Sequence, residues 1–487
     1  MVAQNDLQAK ALQIFEALNK IPRCSGNERA ISDWLVNLAH KNNWKVIQDE
    51  AYNVVMDVPG KKECAFFPKV ILQGHMDMVC VKTEDSRHNF QTDPILMEEK
   101  NGWLSARGTT LGADNGIALA ISLAIAQEPE LAHPPLELLF TTDEERSLKG
   151  ATNLSNNILT GKYLINIDSD QEGVFTIGCA GGQGTSIDFP MNYENLPTQP
   201  TYIIEIKNLR GGHSGSQINE QIPNAIKLLS SVLYQIMVLD PNFRLLDITG
   251  GVAHNAIPSS AKAQFCCSKD EQLKSLFLKY KKNFWQEYGE TDPQFDFLLS
   301  ASEKLADDPC EMNYPTLSDS QKAILLLVAL PHGVVAMNKK KKKLVETSCN
   351  LAQVKINKGK LLIGMSQRSN SSLGIQIITE QIETCGKLAG AAIISSEGYP
   401  AWEPDWEAPL IKKAQQLYSK LFQKEPQIEV IHAGLECGVI GAKYPGLQML
   451  SLGPTIRHLH TPNECLNVAD VGKIIKFLLE LFKHLVD

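Results

Sequence analysis

The sequence predicts an α/β protein with a mixed, largely parallel sheet flanked by helices and an inserted α+β lid domain. Short apolar runs of strand length alternate with helical segments early in the chain, and this alternation returns near its end. Wholly apolar runs are typical of parallel strands that are buried on both faces. The segment between these two parts has a different pattern, so the α/β domain is expected to be discontinuous.

Four apolar runs end on, or lead directly to, an acid or a histidine. They occupy residues 70–75, 136–145, 163–168 and 447–452, and the last runs on to His460. Because ligands bind at the carboxyl ends of strands in open α/β sheets, these acids and histidines should meet in one cleft.

Asp114 is a further candidate, in a small-residue turn that precedes an apolar helix over residues 117–127. An aspartate at a helix entry can cap the helix and still present a free carboxylate oxygen. Taken singly, a histidine at a strand end is more often structural, Asp-Glu-Glu is usually a solvated turn, and Asp114 would be only a cap. The conjunction of these groups favours a metal centre.

Imidazole and carboxylate ligands without thiolate suit Zn²⁺ or Co²⁺, with Mn²⁺ as an alternative. We assign His75, Asp114 and Asp168 to one ion. We assign Asp114, Glu145 and His460 to the other, so that Asp114 bridges two divalent ions.

Two more acids, Glu144 and Asp77, are expected to act at the site without being metal ligands. Glu144 is left unliganded beside the site, which is the position of a general base. Two ions that share Asp114 would hold a water between them and lower its pKa towards ~7, and Glu144 would take the proton of that water. Asp77 is expected to accept the second N–H of His75 and fix the tautomer of that ring.

Several strings resemble the di-zinc exopeptidases related to aminoacylase. They are Gly74-His75-Met76-Asp77, residues 108–116, Thr142-Asp143-Glu144-Glu145, Gly211-Gly212-His213-Ser214-Gly215, Gly453-Pro454-Thr455-Ile456 and His460-Thr461-Pro462-Asn463-Glu464. Within that group the chain is similar to the aminoacyl-histidine dipeptidases, also called peptidase D or Xaa-His dipeptidase, a branch favoured by residues 255–258 and 432–438. The similarity runs from about Ile21 to Val468. Residues 146–150 depart from the family, which usually has small or apolar residues there.

The resemblance implies hydrolysis of Xaa-His and related dipeptides of the carnosine type. It implies that His213 donates to the carbonyl oxygen as that oxygen becomes an oxyanion. It also implies that Arg368 clamps the substrate's terminal carboxylate and that Asn255 is a further substrate contact. Glu436 is a weaker candidate for meeting the substrate's ammonium.

Other activities remain open at this stage. An N-acyl amino acid amidohydrolase or an aminotripeptidase of the same family would share all the metal ligands and differ only in the lid. A non-catalytic metal-binding protein is the other class, and the presence of Glu144 with every ligand weighs against it.

Composition sets further limits. The 487 residues, 43% hydrophobic and 21% charged, indicate a globular protein of two or three domains. No run reaches ~18 apolar residues, and the first residues lack the features of a signal peptide. The eleven scattered cysteines indicate free thiols in a reducing cytoplasm. A net charge of −8 offers no basic face for nucleic acid, and the lysine run 339–343 is expected to be a solvated loop.

Changes of pattern divide the chain into three segments. Residues 1–185 and 391–487 are assigned to the catalytic α/β domain, and residues 186–390 to the lid, which includes a hairpin with its turn near residue 358. Residues 25–28 match a capping box. Because the lids of the family commonly pair, we expect a homodimer, with strand 201–206 offering an edge and helix 222–238 an apolar face.

Overall fold

The computed structural model describes residues 4–302, 312–339 and 341–485. It contains two compact units: unit 1 comprises Met1–Cys179, Trp402–Ile431 and Leu435–Asp487, and unit 2 comprises Ala180–Ala401 and His432–Gly434. The chain returns to unit 1 later than residue 391, because strand Ala392–Ser395 pairs with strand Gly181–Pro190 in the sheet of unit 2.

Unit 1 is built on an eight-stranded mixed sheet. Its strands in spatial order are Lys45–Gln48, Val54–Val58, Leu136–Thr141, Val70–His75, Tyr163–Asn166, Gln448–Ser451, Val174–Cys179 and Gln427–Ile431. The third to sixth strands run parallel to one another and correspond to the four apolar runs. The predicted fold class is therefore confirmed, and the site residues that follow these strands lie at one edge of the sheet.

Helices and a small sheet complete unit 1. The helices are Gln4–Leu18, Arg29–Lys41, Ala113–Ala126, Glu144–Ser147, Lys149–Asn153, Pro409–Phe422, Glu436–Lys443 and Val468–His484. The small sheet consists of Ile456–Arg457, Cys465–Asn467, Trp103–Ala106 and Met97–Lys100. Helix Ala113–Ala126 is buried along its apolar length and packs against strand Val70–His75, which holds the turn of Asp114 close to His75.

Unit 2 is an α+β structure around an antiparallel sheet. The main strands in spatial order are Asp296–Ala301, Thr201–Lys207, Ala261–Cys266, Arg244–Gly250, Val345–Asn357, Lys360–Ser369, Gly181–Pro190 and Ala392–Ser395, and Gly333–Met337 also pairs with Val345–Asn357. Two short pairs join Tyr193–Leu196 to Met312–Pro315 and Gly212–His213 to Ala256–Ile257. The helices are Ala225–Leu239, Asp270–Tyr288, Leu317–Ala329 and Ser372–Ala389.

The predicted hairpin has a two-residue turn. Lys358 and Gly359 both have positive φ, at 47° and 73°, as a type I′ turn requires. The turn joins the two long strands, whose register shifts once between Leu351 and Gln353 before Arg368 pairs with Ser348. On its other side Arg368 pairs with Gly182 of strand Gly181–Pro190.

The expected dimer surface is wrong in both parts. Strand Thr201–Lys207 is paired on both sides and offers no edge. The apolar face of helix Ala225–Leu239 is already buried in the core of unit 2.

The expectation of only free thiols is wrong for one pair of cysteines. Cys24 and Cys80 form a disulfide with their Cα atoms 5.6 Å apart. They are separated by 56 residues, a pairing that sequence spacing does not reveal. The other described cysteines are free, and Cys310 lies outside the described residues.

Two further findings concern the surface. Within the described residues, no helix has the length and apolarity needed to cross a membrane. In the lysine run, Lys339 and Lys341 to Lys343 are exposed, and position 340 lies outside the described residues.

Candidate metal centre and active site

Five of the predicted site residues lie together at the carboxyl ends of the parallel strands of unit 1. Nε2 of His75 lies 3.1 Å from Oδ1 of Asp114 and 3.4 Å from Oδ1 of Asp168. Nε2 of His460 lies 3.3 Å from Oδ2 of Asp114 and 3.0 Å from Oε2 of Glu145. Donor atoms of His75, Asp114 and Glu145 all lie within 4.8 Å of one another. This set of imidazole and carboxylate donors fits divalent ions such as Zn²⁺.

Asp114 directs one carboxylate oxygen to each histidine, an arrangement suited to a bridging ligand. Asp114 does not cap the helix, because its carboxylate contacts the two histidines and accepts no helix N–H within the described residues. Glu464 holds the turn instead, since its carboxylate accepts the backbone N–H groups of residues 111–114. The Asp114–Asn115 peptide bond is cis.

Asp77 connects His75 to the turn that carries the two glutamates. Its Oδ1 lies 3.3 Å from Nδ1 of His75 and accepts the N–H of Glu144 at 3.0 Å. Its Oδ2 accepts the N–H of Glu145 at 3.3 Å and the hydroxyl of Ser25 at 2.8 Å. Burial opposes ionisation of Asp77, but His75 and these hydrogen bonds lower its pKa below the usual value. One buried carboxylate therefore orients both a ligand ring and the start of the glutamate helix.

Glu144 differs from the other acids of the cluster. Within the described part of the chain its carboxylate forms no hydrogen bond, whereas Asp77, Asp114, Asp168 and Glu145 each lie within 3.4 Å of a histidine nitrogen. Burial raises its pKa well above the usual value, and Asp168, Glu145 and Glu436 raise it further against the effect of His75. A carboxylate with a raised pKa can accept and release a proton near neutral pH.

The histidines carry the positive charge of the metal-free site. Hydrogen bonds to Asp114 and Glu145 raise the pKa of His460 to about 10. Burial opposes protonation of His75, but Asp168 and Asp114 raise its pKa well above the usual value. Burial also raises the pKa of Asp168 to about 6. The cluster thus requires positive charge, either from protons or from metal ions.

Arg146 lies in the segment 146–150 that departs from the family pattern, and it contacts a group of acids next to the ligands. Nε of Arg146 donates to Oδ1 of Asp143 at 2.6 Å, and the arginine side chain is mostly exposed. Glu28 accepts the N–H groups of Gly26 and Asp143. The predicted capping box is wrong, because Glu28 makes no cap bond to helix Arg29–Lys41 and Ser25 bonds to Asp77 instead.

A chain of buried side chains crosses the parallel strands close to the ligands. Ser451 donates to Asn166, Asn166 to Gln73, and both Gln73 and Thr141 donate at 2.6 Å to Oε2 of Glu436. Gln73 and Asn166 each precede a ligand by two residues. The hydrogen bonds therefore hold the ligand-bearing strand ends in register.

Glu436 is fully buried at one end of this chain, and its contact with a substrate ammonium stays a prediction. Burial is the main cause that raises its pKa to about 7. Its Oε1 has no hydrogen-bond partner within the described residues.

In unit 2, the tautomer of His213 is fixed by its own turn. Nδ1 accepts the N–H of Gly215 at 3.2 Å and that of Ser216 at 3.1 Å. The ring proton therefore resides on Nε2. Burial lowers the pKa of His213, and Arg368 and His254 lower it further, which favours the neutral ring at pH 7. This imidazole can donate a hydrogen bond from Nε2.

The other two substrate candidates also lie in unit 2. Arg368 is 9% exposed, and its Nη1 donates to the hydroxyl of Tyr399 at 2.7 Å. Asn255 is exposed, and its carbonyl accepts the N–H of Ser214 beside His213.

Sequence reasoning missed the residues that support the ligands from elsewhere in unit 1. Arg23 is buried and donates to the carbonyls of Met76, Asp77 and Gly112. Burial lowers the pKa of Arg23 to about 10, although Glu464, Asp77 and Asp114 raise it. Glu464 appeared in a recognised motif, yet nothing local revealed its bonds to the Asp114 turn.

Metal loading should release protons. A metal ion needs a deprotonated ring nitrogen, whereas at pH 7 both histidines are protonated in the metal-free site. Calorimetric titration of metal-free protein with Zn²⁺, in buffers of different ionisation enthalpy, should show release of at least about one proton and an affinity that rises from pH 6 to about pH 8. His460→Gln should release fewer protons. Binding without proton release, at a pH-independent affinity, would contradict this electrostatic description.

Comparison with known proteins identifies the family. The model of peptidase family M20/M25/M40 matches residues 71–484. A cytosol non-specific dipeptidase of Escherichia coli (strain K12) is 35% identical over 475 residues, which cover 97% of this chain and 96% of that protein. The crystal structure of aminoacylhistidine dipeptidase from Vibrio alginolyticus matches with a TM-score of 0.88 and 33% identity, covering 98% of this chain and 96% of that one. Human carnosine dipeptidase 1 shares the fold, with a TM-score of 0.51, 12% identity, and coverage of 99% and 98%. The chain therefore belongs to peptidase family M20/M25/M40, a family of metal-dependent hydrolases that act on peptide bonds.

Proposed function

We propose that this chain is a metal-dependent dipeptidase that cleaves Xaa-His and related dipeptides of the carnosine type. The observation that carries the proposal is the cluster around Asp114, next to which the half-buried Glu144 carboxylate forms no hydrogen bond within the described residues. Two similar proteins are described as dipeptidases, one as non-specific and one as an aminoacylhistidine dipeptidase.

The ligand set would hold two divalent ions, with zinc as the first choice and cobalt or manganese as alternatives. His75, Asp114 and Asp168 would hold one, and Asp114, Glu145 and His460 the other. When bound, such ions act as Lewis acids that polarise a carbonyl and make water more acidic.

Residues of the chain would perform the proton transfers. Glu144 takes the proton of the attacking water and delivers it to the departing amine, a role suited to its raised pKa. Asp77 keeps His75 in the tautomer that leaves Nε2 for a metal ion. His213, with its proton on Nε2, donates to the carbonyl oxygen as negative charge develops there.

Arg368 is proposed to bind the terminal carboxylate of the peptide, and Asn255 to make a further contact. No ion pair of Arg368 with an acid occurs within the described residues, although its side chain is 9% exposed. A buried guanidinium without an anion is a suitable partner for a carboxylate, which it can bind through two parallel hydrogen bonds.

A homodimer through unit 2 remains part of the proposal, with a different surface. Large apolar side chains are exposed on two helices that pack together and on one strand: Leu325, Val328, Val335, Met337, Leu373 and Ile377. Sedimentation analysis tests this, because Ile377→Asp should yield monomers if the surface pairs.

A cytosolic location, as described for the Escherichia coli relative, can be tested by cell fractionation.

Glu144→Gln should keep both metal ions and lose turnover of carnosine by ~10²–10⁴-fold, the usual contribution of a positioned general base. Glu145→Gln is the matched control, since it changes the adjacent glutamate and should reduce bound metal. Metal analysis and initial rates on the same samples separate the two effects. Near-normal turnover of the metal-loaded Glu144 variant would reject its role as the base.

Free dipeptides should be hydrolysed in preference to dipeptide amides, N-acetyl amino acids and tripeptides. Arg368→Ala should lower kcat/KM for free dipeptides by about 10²-fold, the order expected for truncating one partner of a buried charge pair. The variant should also lose the preference over amides. Preferred turnover of N-acetyl amino acids or tripeptides would favour the alternative activities.

A further inference from the structure

Unit 2 contains a cavity of about 420 Å³ whose lining includes Arg368 and Tyr399. The other lining side chains are neutral or belong to His254, and none is an acid. Nε of Arg368 is buried and has no hydrogen-bond partner within the described residues. A buried cation is costly unless an anion pairs with it. The cavity therefore favours an anionic ligand near Arg368.

Tyr399 is held next to this arginine by its backbone and by two glycines. Its N–H donates to the carbonyl of Gly182, and its carbonyl accepts the N–H of Gly182. A Cβ at Gly182 would lie 2.5 Å from Cζ of the tyrosine ring, and one at Gly434 would lie 2.7 Å from Cε2. Only glycine at these two positions leaves room for the ring in this orientation.

The pairing of the two strands places the Tyr399 ring directly beside the guanidinium of Arg368. Gly182 is the partner of Arg368 across the two strands, so the ring lies where a side chain at position 182 would otherwise contact the arginine. The Tyr399 hydroxyl accepts from Nη1 of Arg368 at 2.7 Å.

A tyrosine hydroxyl orients an arginine in a way that an acid does not. It accepts a hydrogen bond but carries no charge at neutral pH, so the full positive charge of Arg368 stays available to a ligand. Holding a long side chain in its binding conformation also reduces the entropy that is lost when the ligand binds.

We propose that Tyr399 is a positioning residue for recognition of a peptide's terminal carboxylate, which acts by fixing the guanidinium of Arg368. This inference rests on the proposed role of Arg368 and deepens it. The discrimination between free dipeptides and their amides is assigned to Arg368 and Tyr399 together, with Gly182 and Gly434 making room for the ring.

The test compares kcat/KM for a dipeptide with that for its amide in metal-loaded enzyme. Tyr399→Phe keeps the ring and removes the hydroxyl. It should lower the ratio about 10-fold, mainly through KM for the free dipeptide, as for loss of one hydrogen bond to a charged group. In an Arg368→Ala background the same change should have no further effect on the ratio, because the two residues act as one unit.

Two variants separate positioning from a general loss of stability. Gly182→Ala retains the tyrosine hydroxyl but forces the ring to move, so it should lower the ratio as Tyr399→Phe does. Tyr202→Phe is the matched control, since it removes a tyrosine hydroxyl that donates to Asp270 in the same unit, and it should keep the parent ratio.

The possible results separate the positioning role of Tyr399 from the carboxylate binding by Arg368 on which it rests. If Arg368→Ala lowers the ratio and Tyr399→Phe does not, Tyr399 has no positioning role. Equal losses on dipeptide and amide in Tyr399→Phe would indicate a merely structural residue and also overturn the inference. An unchanged ratio in Arg368→Ala would remove the carboxylate clamp itself, and with it this role of Tyr399.

Discussion

The Asp114 carboxylate, with one oxygen directed at His75 and the other at His460, is the interaction on which the site depends. It brings several acids close together in a buried place, where like charges repel and desolvation is costly. Burial and this repulsion account for the raised pKa values of Glu145 and Asp168. Two divalent ions would supply the missing positive charge.

The rest of unit 1 can be understood as support for that arrangement. Four parallel strands bring their carboxyl ends to one edge, and buried hydrogen bonds from Ser451 through to Glu436 hold these ends in register. Glu464 and Arg23 fix the turn before Asp114 from two other parts of the chain. Because the carboxylate ligands repel one another, their geometry depends on such neighbours. Loss of a supporting residue would therefore affect metal binding without touching a ligand.

Local pattern was sufficient for the strands and the residues at their ends, because burial on both faces dictates apolar runs and the parallel order places their ends together. Local pattern gave wrong or incomplete predictions where contacts with distant parts of the chain determine hydrogen-bond partners, edge position or burial. Ser25 and Glu28 fit a capping box, but Asp77 and the N–H of Asp143 are their actual partners. Strand Thr201–Lys207 looked like a possible edge, yet edge position depends on the order of the whole sheet. Glu436 looked available as an acid near the cleft, and only packing shows that it is buried.

The most direct test of the bridging role of Asp114 is metal content after substitution. Asp114→Asn keeps the size of the side chain and removes its charge, whereas Asp168→Asn changes a ligand assigned to a single ion. Elemental mass spectrometry of dialysed protein, with anomalous diffraction to locate the ions, measures both. We expect Asp114→Asn to lose both ions and Asp168→Asn to lose one. Two full equivalents in the Asp114 variant, or the selective loss of one ion, would contradict the bridging role.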